Sequence, residues 1–364
     1  MIPSLRTARF LRAYLAGGAG PFRAEEVRVE VAGEPREATL YLPRRRTPAP
    51  GWVVLHGMTV PGRHHLAMTR FVRSLAASGA VVLVPDIPAW RALRVDTAAA
   101  RETLAAGARF LAARGEVQAG GVGAVGFSFG ATQAVSASAA LPEEIRAVVG
   151  FGGYCDLPRM VRCLFTGRHE WEGVEHRLDP DPYGRWILAG NYLTRIPGMG
   201  GMGAVQRHAL ALALESGNRG TWAWEAEYDA FKADARRGLS AAERELWDAV
   251  APPSGAPPAD TPYVRALADG LAAAIRDAAP ELDPRLCLDG LSARVVLSHG
   301  RADRLIPWTE TLRLHRLLAP SVDVSATVTG LFAHSAHAGW MHPLERARET
   351  GRFVRLLNEA LGAV

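Results

Sequence analysis

Lysine is almost missing from this chain of 364 residues: Lys232 is the only one, so nearly all of the 42 basic residues are arginines, and they are scattered. A nucleic-acid surface would gather them into a stripe or patch. The densest run, Arg44 to Arg46, lies between Pro43 and Pro48 and reads as a solvated loop, so no nucleic-acid partner is expected. Cysteine is scarce as well. Cys155, Cys163 and Cys287 show neither the even count of a disulfide framework nor the C-x-x-C spacing of a zinc site, which points to a reducing, cytoplasmic location. No apolar run has the length of a membrane span. The arginine-bearing N-terminus is broken by Gly17, Gly18 and Gly20 and lacks the apolar stretch of a secretion signal. It reads as an amphipathic helix with Phe10, Leu11, Tyr14 and Leu15 on one face.

Hydrophobic residues make up 48% of the chain and charged residues 22%, ordinary values for a globular fold. The length exceeds what one compact core usually needs, which leaves room for a large insertion. Alternating segments at Val27–Val31 and Ala38–Leu42 read as antiparallel strands joined by a turn near Gly33 and Pro35. Short apolar runs at Trp52–Leu55, Val81–Val84, Val122–Phe127 and Ala147–Phe151 then alternate with helical patterns around 65–78, 97–114 and 129–140. That rhythm predicts an α/β fold, a mostly parallel sheet with helices on both faces. It stops after Asp156 and resumes near Leu291, with Val295–Leu297, a helix over Thr309–Leu318, a strand near Val322–Val328 and a closing helix from Pro343. The division expected is an N-terminal arm over 1–24, a core over 25–156 and 291–364, and a helical cap over 157–290. Within the cap, Ala251–Pro262 reads as an extended proline-rich connector. Homo-oligomer formation stays open.

Four segments carry chemistry. Gly126-Phe127-Ser128-Phe129-Gly130 matches G-x-S-x-G, placed after a predicted strand and opening a predicted helix. A turn this tight needs glycines on both sides, and it exposes the serine at a helix N-terminus, where partial positive charge favours an oxyanion. Leu55-His56-Gly57-Met58 ends another strand. His299-Gly300-Arg301-Ala302-Asp303, with Pro307, follows a third, and Gly330-Leu331-Phe332-Ala333-His334-Ser335-Ala336-His337 follows the last. Gly198-Met199-Gly200-Gly201-Met202-Gly203 has no preceding strand and no following lysine, so it is read as a loop and not a phosphate cradle.

Taken together, in the chain order Ser, Asp, His, these segments resemble the α/β-hydrolase superfamily, specifically its serine-nucleophile branch of carboxylesterases and dienelactone hydrolases. The resemblance covers about two thirds of the chain, the core on either side of the insertion. It implies Ser128 as nucleophile, Asp303 as the acid and His334 as the base, with His337 as rival base and Asp156, after the strand ending near Phe151, as rival acid. It further implies an oxyanion hole from the backbone N–H groups of Met58 and Phe129, with His56 supporting the turn. No cofactor or metal is called for. The expected activity is hydrolysis of an ester or related acyl bond in a small molecule, made apolar or aromatic by Trp171, Trp186, Trp222, Trp224, Trp247, Tyr192 and Tyr228 in the cap. Acyl transfer, amide cleavage, carbon–carbon hydrolysis and a non-catalytic binding role remain alternatives.

Overall fold

A computed structural model describes residues 4–44, 48–331 and 342–364. The chain begins with α1 (Leu5–Leu15), then pairs β1 (Phe22–Val31) with β2 (Glu34–Pro43) before the core alternation starts. That alternation runs β3 (Gly51–Leu55), α2 (Leu66–Ala77), β4 (Val81–Pro85), α3 (Pro88–Arg91), α4 (Ala98–Ala112), β5 (Val122–Phe127), α5 (Phe129–Ala139) and β6 (Ile145–Phe151). After the insertion come β9 (Arg294–Gly300), α12 (Thr309–Leu318), β10 (Val324–Thr329) and α13 (Pro343–Leu361). Strand residues alternate between two apolar clusters. Trp52, Val54, Val82 and Val84 face Phe71, Leu75 and Leu356, while Val53, Leu55, Val81 and Leu83 face Leu104, Leu111 and Val135. Both faces are covered, which is why each strand reads as an unbroken apolar run.

The eight-stranded sheet has the order β1-β2-β4-β3-β5-β6-β9-β10. β2 is antiparallel to β1 and to β4, and the remaining pairs are parallel. This is the strand order of the α/β-hydrolase fold, with G-x-S-x-G straddling the end of β5. The β1–β2 turn is Ala32-Gly33, with φ of 50° and 81°, the left-handed pair a two-residue hairpin requires. The turn is thus near Gly33 and Pro35, as expected; Pro35 itself lies at the start of β2, outside the Ala38–Tyr41 stretch that pairs with β4, where its missing N–H breaks no ladder bond. In α1 the buried line is Thr7, Phe10 and Ala13, and Leu15 is 79% exposed. Of the expected face, Phe10 meets Phe71 of α2 and Leu11 and Tyr14 pack against the same cluster, so Leu15 alone falls outside it.

Between β6 and β9 lie α6 (Leu157–Thr166), α7 (Tyr183–Tyr192), α8 (Gly203–Arg219), α9 (Asp229–Arg237), α10 (Ala241–Val250) and α11 (Pro262–Ala278). A hairpin, β7 (Arg168–Trp171) with β8 (Val174–Arg177), interrupts the helical run. Its turn, Glu172-Gly173, again has two positive φ angles, 52° and 80°. Its strands are half-buried or exposed, so they lack the apolar run of a core strand. The inserted helices share one apolar cluster with the sheet, in which Met58, Trp90 and Leu93 join Trp186, Leu193 and Leu212. Asn191 of α7 stitches the two parts together, accepting from the N–H of Val95 and donating to the carbonyl of Leu93. No helix among the described residues is long and apolar enough to cross a membrane.

Candidate active site

The site stands at the carboxyl edge of the parallel strands, the position open α/β sheets offer to ligands. Leu55 of β3 pairs with Gly126 of β5, Phe127 with Phe151 of β6, and Phe151 with Ser298 of β9. Met58, Ser128 and Asp303, a few positions past these strand ends, therefore follow the same edge of the sheet. Arg301 donates its N–H to the Thr329 carbonyl at 2.7 Å, so the end of β10 lies beside the turn holding Asp303.

Ser128 is the N-cap residue of α5, with φ 55° and ψ −125°. A non-glycine residue in that region is strained, and such strain persists only where the surroundings over-determine it. Here they do. A Cβ on Gly126 would collide with the Gly130 carbonyl, and one on Gly130 with the His56 carbonyl, so β5, α5 and the β3 loop approach as only glycines allow. The Ser128 N–H is bound to the Phe151 carbonyl at 2.7 Å. A Cβ on Gly57 would lie 3.3 Å from Ser128 Cβ, which puts the β3 loop directly against Ser128.

That loop is held from beneath. His56 is fully buried; its Nδ1 donates to the Gly57 carbonyl at 2.7 Å and its Nε2 accepts from the Ile87 N–H at 3.1 Å. Burial drops its pKa to about 4, only partly opposed by the Gly57 carbonyl and Asp86. A neutral ring with both nitrogens engaged supports the turn, as the sequence suggested, and is poorly suited to moving protons. Arg91 completes the brace, donating to the Val60 carbonyl at 3.0 Å and to Asp86 at 3.0 Å.

Asp303 is 3% exposed. Its Oδ1 accepts from the N–H groups of Leu305 and Ile306 at 2.8 and 2.9 Å, and its Oδ2 lies 3.2 Å from His299 Nε2. The Ile306 carbonyl, 2.9 Å from the same nitrogen, can only accept, so Nε2 carries a proton. Nδ1 of His299 meets the Thr311 hydroxyl at 2.7 Å. The plane of the carboxylate is thus fixed on both sides. Asp156 is used otherwise: it caps α6 by accepting from the Arg159 N–H, and it takes an Arg285 guanidinium at 2.6 Å. Glu310 holds the same loop through the N–H groups of Cys155 and Asp156, and burial raises its pKa to about 7. His334 and His337 lie outside the described residues.

Sequence reasoning missed Tyr183, at the start of α7. Its hydroxyl reaches the Met58 carbonyl at 3.4 Å, bringing the insertion onto the loop beside Ser128, and its neighbour Gly184 lies against Leu305. Nothing local marks this tyrosine, because the contact spans 125 residues. Five of the seven cap aromatics singled out from sequence fall into two groups, while Tyr192 is buried and Trp171 lies against Arg316. Trp186, Trp247 and Tyr228 are at most 1% exposed, and the two indoles donate to the carbonyls of Val250 and Lys232. Trp222 is 37% exposed and stacks on Trp224 at 4.8 Å, and the Arg304 guanidinium lies 4.2 Å from the Trp224 ring.

No protein-family model and no curated protein sequence matches the chain. Solved structures with a similar chain path include an acylaminoacyl peptidase of Pyrococcus horikoshii, with 12% identity, TM-score 0.48, and coverage of 94% of this chain. This chain spans only 42% of that peptidase. An esterase of Pyrobaculum calidifontis has 16% identity and TM-score 0.49, with 98% of this chain and 92% of the esterase covered. Fungal esterase structures from Rhizomucor miehei have 17% identity and TM-score 0.48, with 98% and 88% covered. The fold assignment rests on the strand order, and the reading of the site rests on its own residues.

Proposed function

We propose that the chain is a serine hydrolase that cleaves a carboxylic ester or related acyl bond of an apolar or aromatic small molecule through an acyl-Ser128 intermediate. The observation that carries this reading is the conformation of Ser128, a strained residue held between two glycines that admit no side chain, at the sheet edge where α/β folds bind ligands. Asp303 is the acid in this reading, supported by its burial and fixed plane, whereas Asp156 is occupied as a helix cap and arginine partner. The base in this reading is His334, which follows β10 in the sequence.

In the reaction, Ser128 Oγ forms a bond to the acyl carbon as its proton passes to the histidine, and the carbonyl π-electrons move onto oxygen. Met58 and Phe129 N–H groups bind that oxyanion. Collapse expels the alcohol, which takes the proton from the histidine, and water repeats the sequence on the acyl-enzyme. Residues 157–290 act as a cap that shapes the acyl pocket, with Tyr183 joining it to the oxyanion loop. The protein works in the cytoplasm without cofactor or metal.

The test is a panel of p-nitrophenyl esters given to the wild type and Ser128→Ala. The variant is expected to keep its circular dichroism and lose about a thousandfold or more in turnover. Turnover within about tenfold of wild type would sink the assignment.

A further inference from the structure

We infer that the insertion contains a binding pocket for a small oxyanion, built around Arg185 and Lys232. A cavity of about 70 Å³ lies between the start of α7, α9 and the proline-rich connector, with Arg185, Lys232, Trp224 and Ser254 in its wall. Arg185 is 7% exposed, yet among the described residues it makes no hydrogen bond or ion pair, and its Nε is a buried donor without an acceptor. Lys232, the chain's only lysine, is 5% exposed on the same wall.

Of the charged groups lining the cavity, only Arg185 has no partner at contact distance among the described residues. The carboxylates that line it are committed to other arginines: Asp248 is held by Arg236 at 2.7 and 2.9 Å, and Asp179 by Arg304. Lys232 has Asp229 at 2.9 Å and Ser254 at 3.1 Å, so its charge is answered. That of Arg185 is not answered at contact distance; Asp181 and Asp179 act on it only through space. Burial and the nearby guanidinium both push the Lys232 pKa down, against the pull of Asp229. A buried guanidinium without a hydrogen-bond acceptor is costly, and in native proteins such a group meets one. The planar fork of Arg185 suits a carboxylate or phosphate, and the volume admits one such group. Trp224 also lies under Arg304, the residue after Asp303, so the pocket shares a wall with the acid's loop.

The proposal does not depend on the acyl chemistry, and Ser128→Ala should respond as wild type does. The full chain is titrated with sodium phosphate and, separately, sodium acetate, each against sodium chloride at equal ionic strength, while Tm is followed by calorimetry. At about a hundredfold excess over Kd, one or both oxyanions should raise Tm by about 3 °C, and the rise should saturate. A phosphate-only response assigns a phosphoryl group, and an acetate-only response a carboxylate. The rise should vanish in Arg185→Met and shrink in Lys232→Met, which carries the comparison if the first variant does not fold. A wild-type rise no larger than in chloride, or an equal rise in Arg185→Met, overturns the pocket.

Discussion

Asp303 and Asp156 are both aspartates at the sheet's carboxyl edge, and their surroundings separate them. Asp303 has two backbone N–H groups on one oxygen and a histidine near the other, whereas Asp156 is neutralised by Arg285 and Arg159. Asp303→Asn is therefore expected to lower turnover about a thousandfold or more, and Asp156→Asn to act mainly on stability. Steady-state kinetics of the two variants decides between them; a larger kinetic loss in Asp156→Asn moves the acid to the loop after β6. His334→Ala should match Asp303→Asn, while His337→Ala stays near wild type. His56 makes a separate prediction through pH. Its pKa is depressed from 6.5 to about 4, so the unfolded chain binds the extra proton as pH falls through that window. Its contribution to stability is full above about 6.5 and is lost toward 4, about 2 kcal/mol between pH 7 and pH 5. Urea denaturation should show that loss in wild type and a smaller one in His56→Asn. At this scale the strained Ser128 turn and its glycines were legible because a fixed spacing carries them, whereas the Tyr183 contact and the burial of Arg185 are not revealed by sequence proximity.

The elbow as an element depends on approach distances. Ala at 130 would drive a methyl group into the His56 carbonyl and within 2.9 Å of that of Leu55, neither of which can move without breaking the β3–β5 pairing. Gly130→Ala should cost about 3 kcal/mol or more, or prevent folding, as read by chemical denaturation. Gly57→Ala is different: its Cβ would meet the Phe127 carbonyl at 3.2 Å and Ser128 Cβ at 3.3 Å, a misfit of tenths of an ångström. Stability should change by less than about 1 kcal/mol while turnover falls about tenfold or more, because the displaced atoms belong to the nucleophile and the oxyanion loop. The core strands were legible from their apolar runs, since both faces of the sheet are covered. The β7–β8 hairpin was not, because its arms are four residues long and only its Glu172-Gly173 turn signals it.

For the whole molecule, the insertion extends the sheet's own apolar cluster; Tyr183 reaches the loop beside Ser128, and the Trp222–Trp224 pair lies against Arg304. Its composition announced aromatics without saying which were core; burial assigns Trp186, Trp247 and Tyr228 to packing. In the proposed function, substrate selection by the cap is assigned to the Trp222–Trp224 pair. Trp224→Ala should reorder an acyl-chain-length panel, each methylene being worth about 0.8 kcal/mol at most, and an unchanged ranking would remove the pair from the pocket. The claim on which all of this stands is that Ser128 is an activated nucleophile. Covalent labelling with a fluorophosphonate, followed by peptide mass mapping, tests it most directly. The account predicts one label per chain on the peptide containing Ser128, absent from Ser128→Ala. A folded wild-type protein that takes no label, or takes it on another residue, would contradict it.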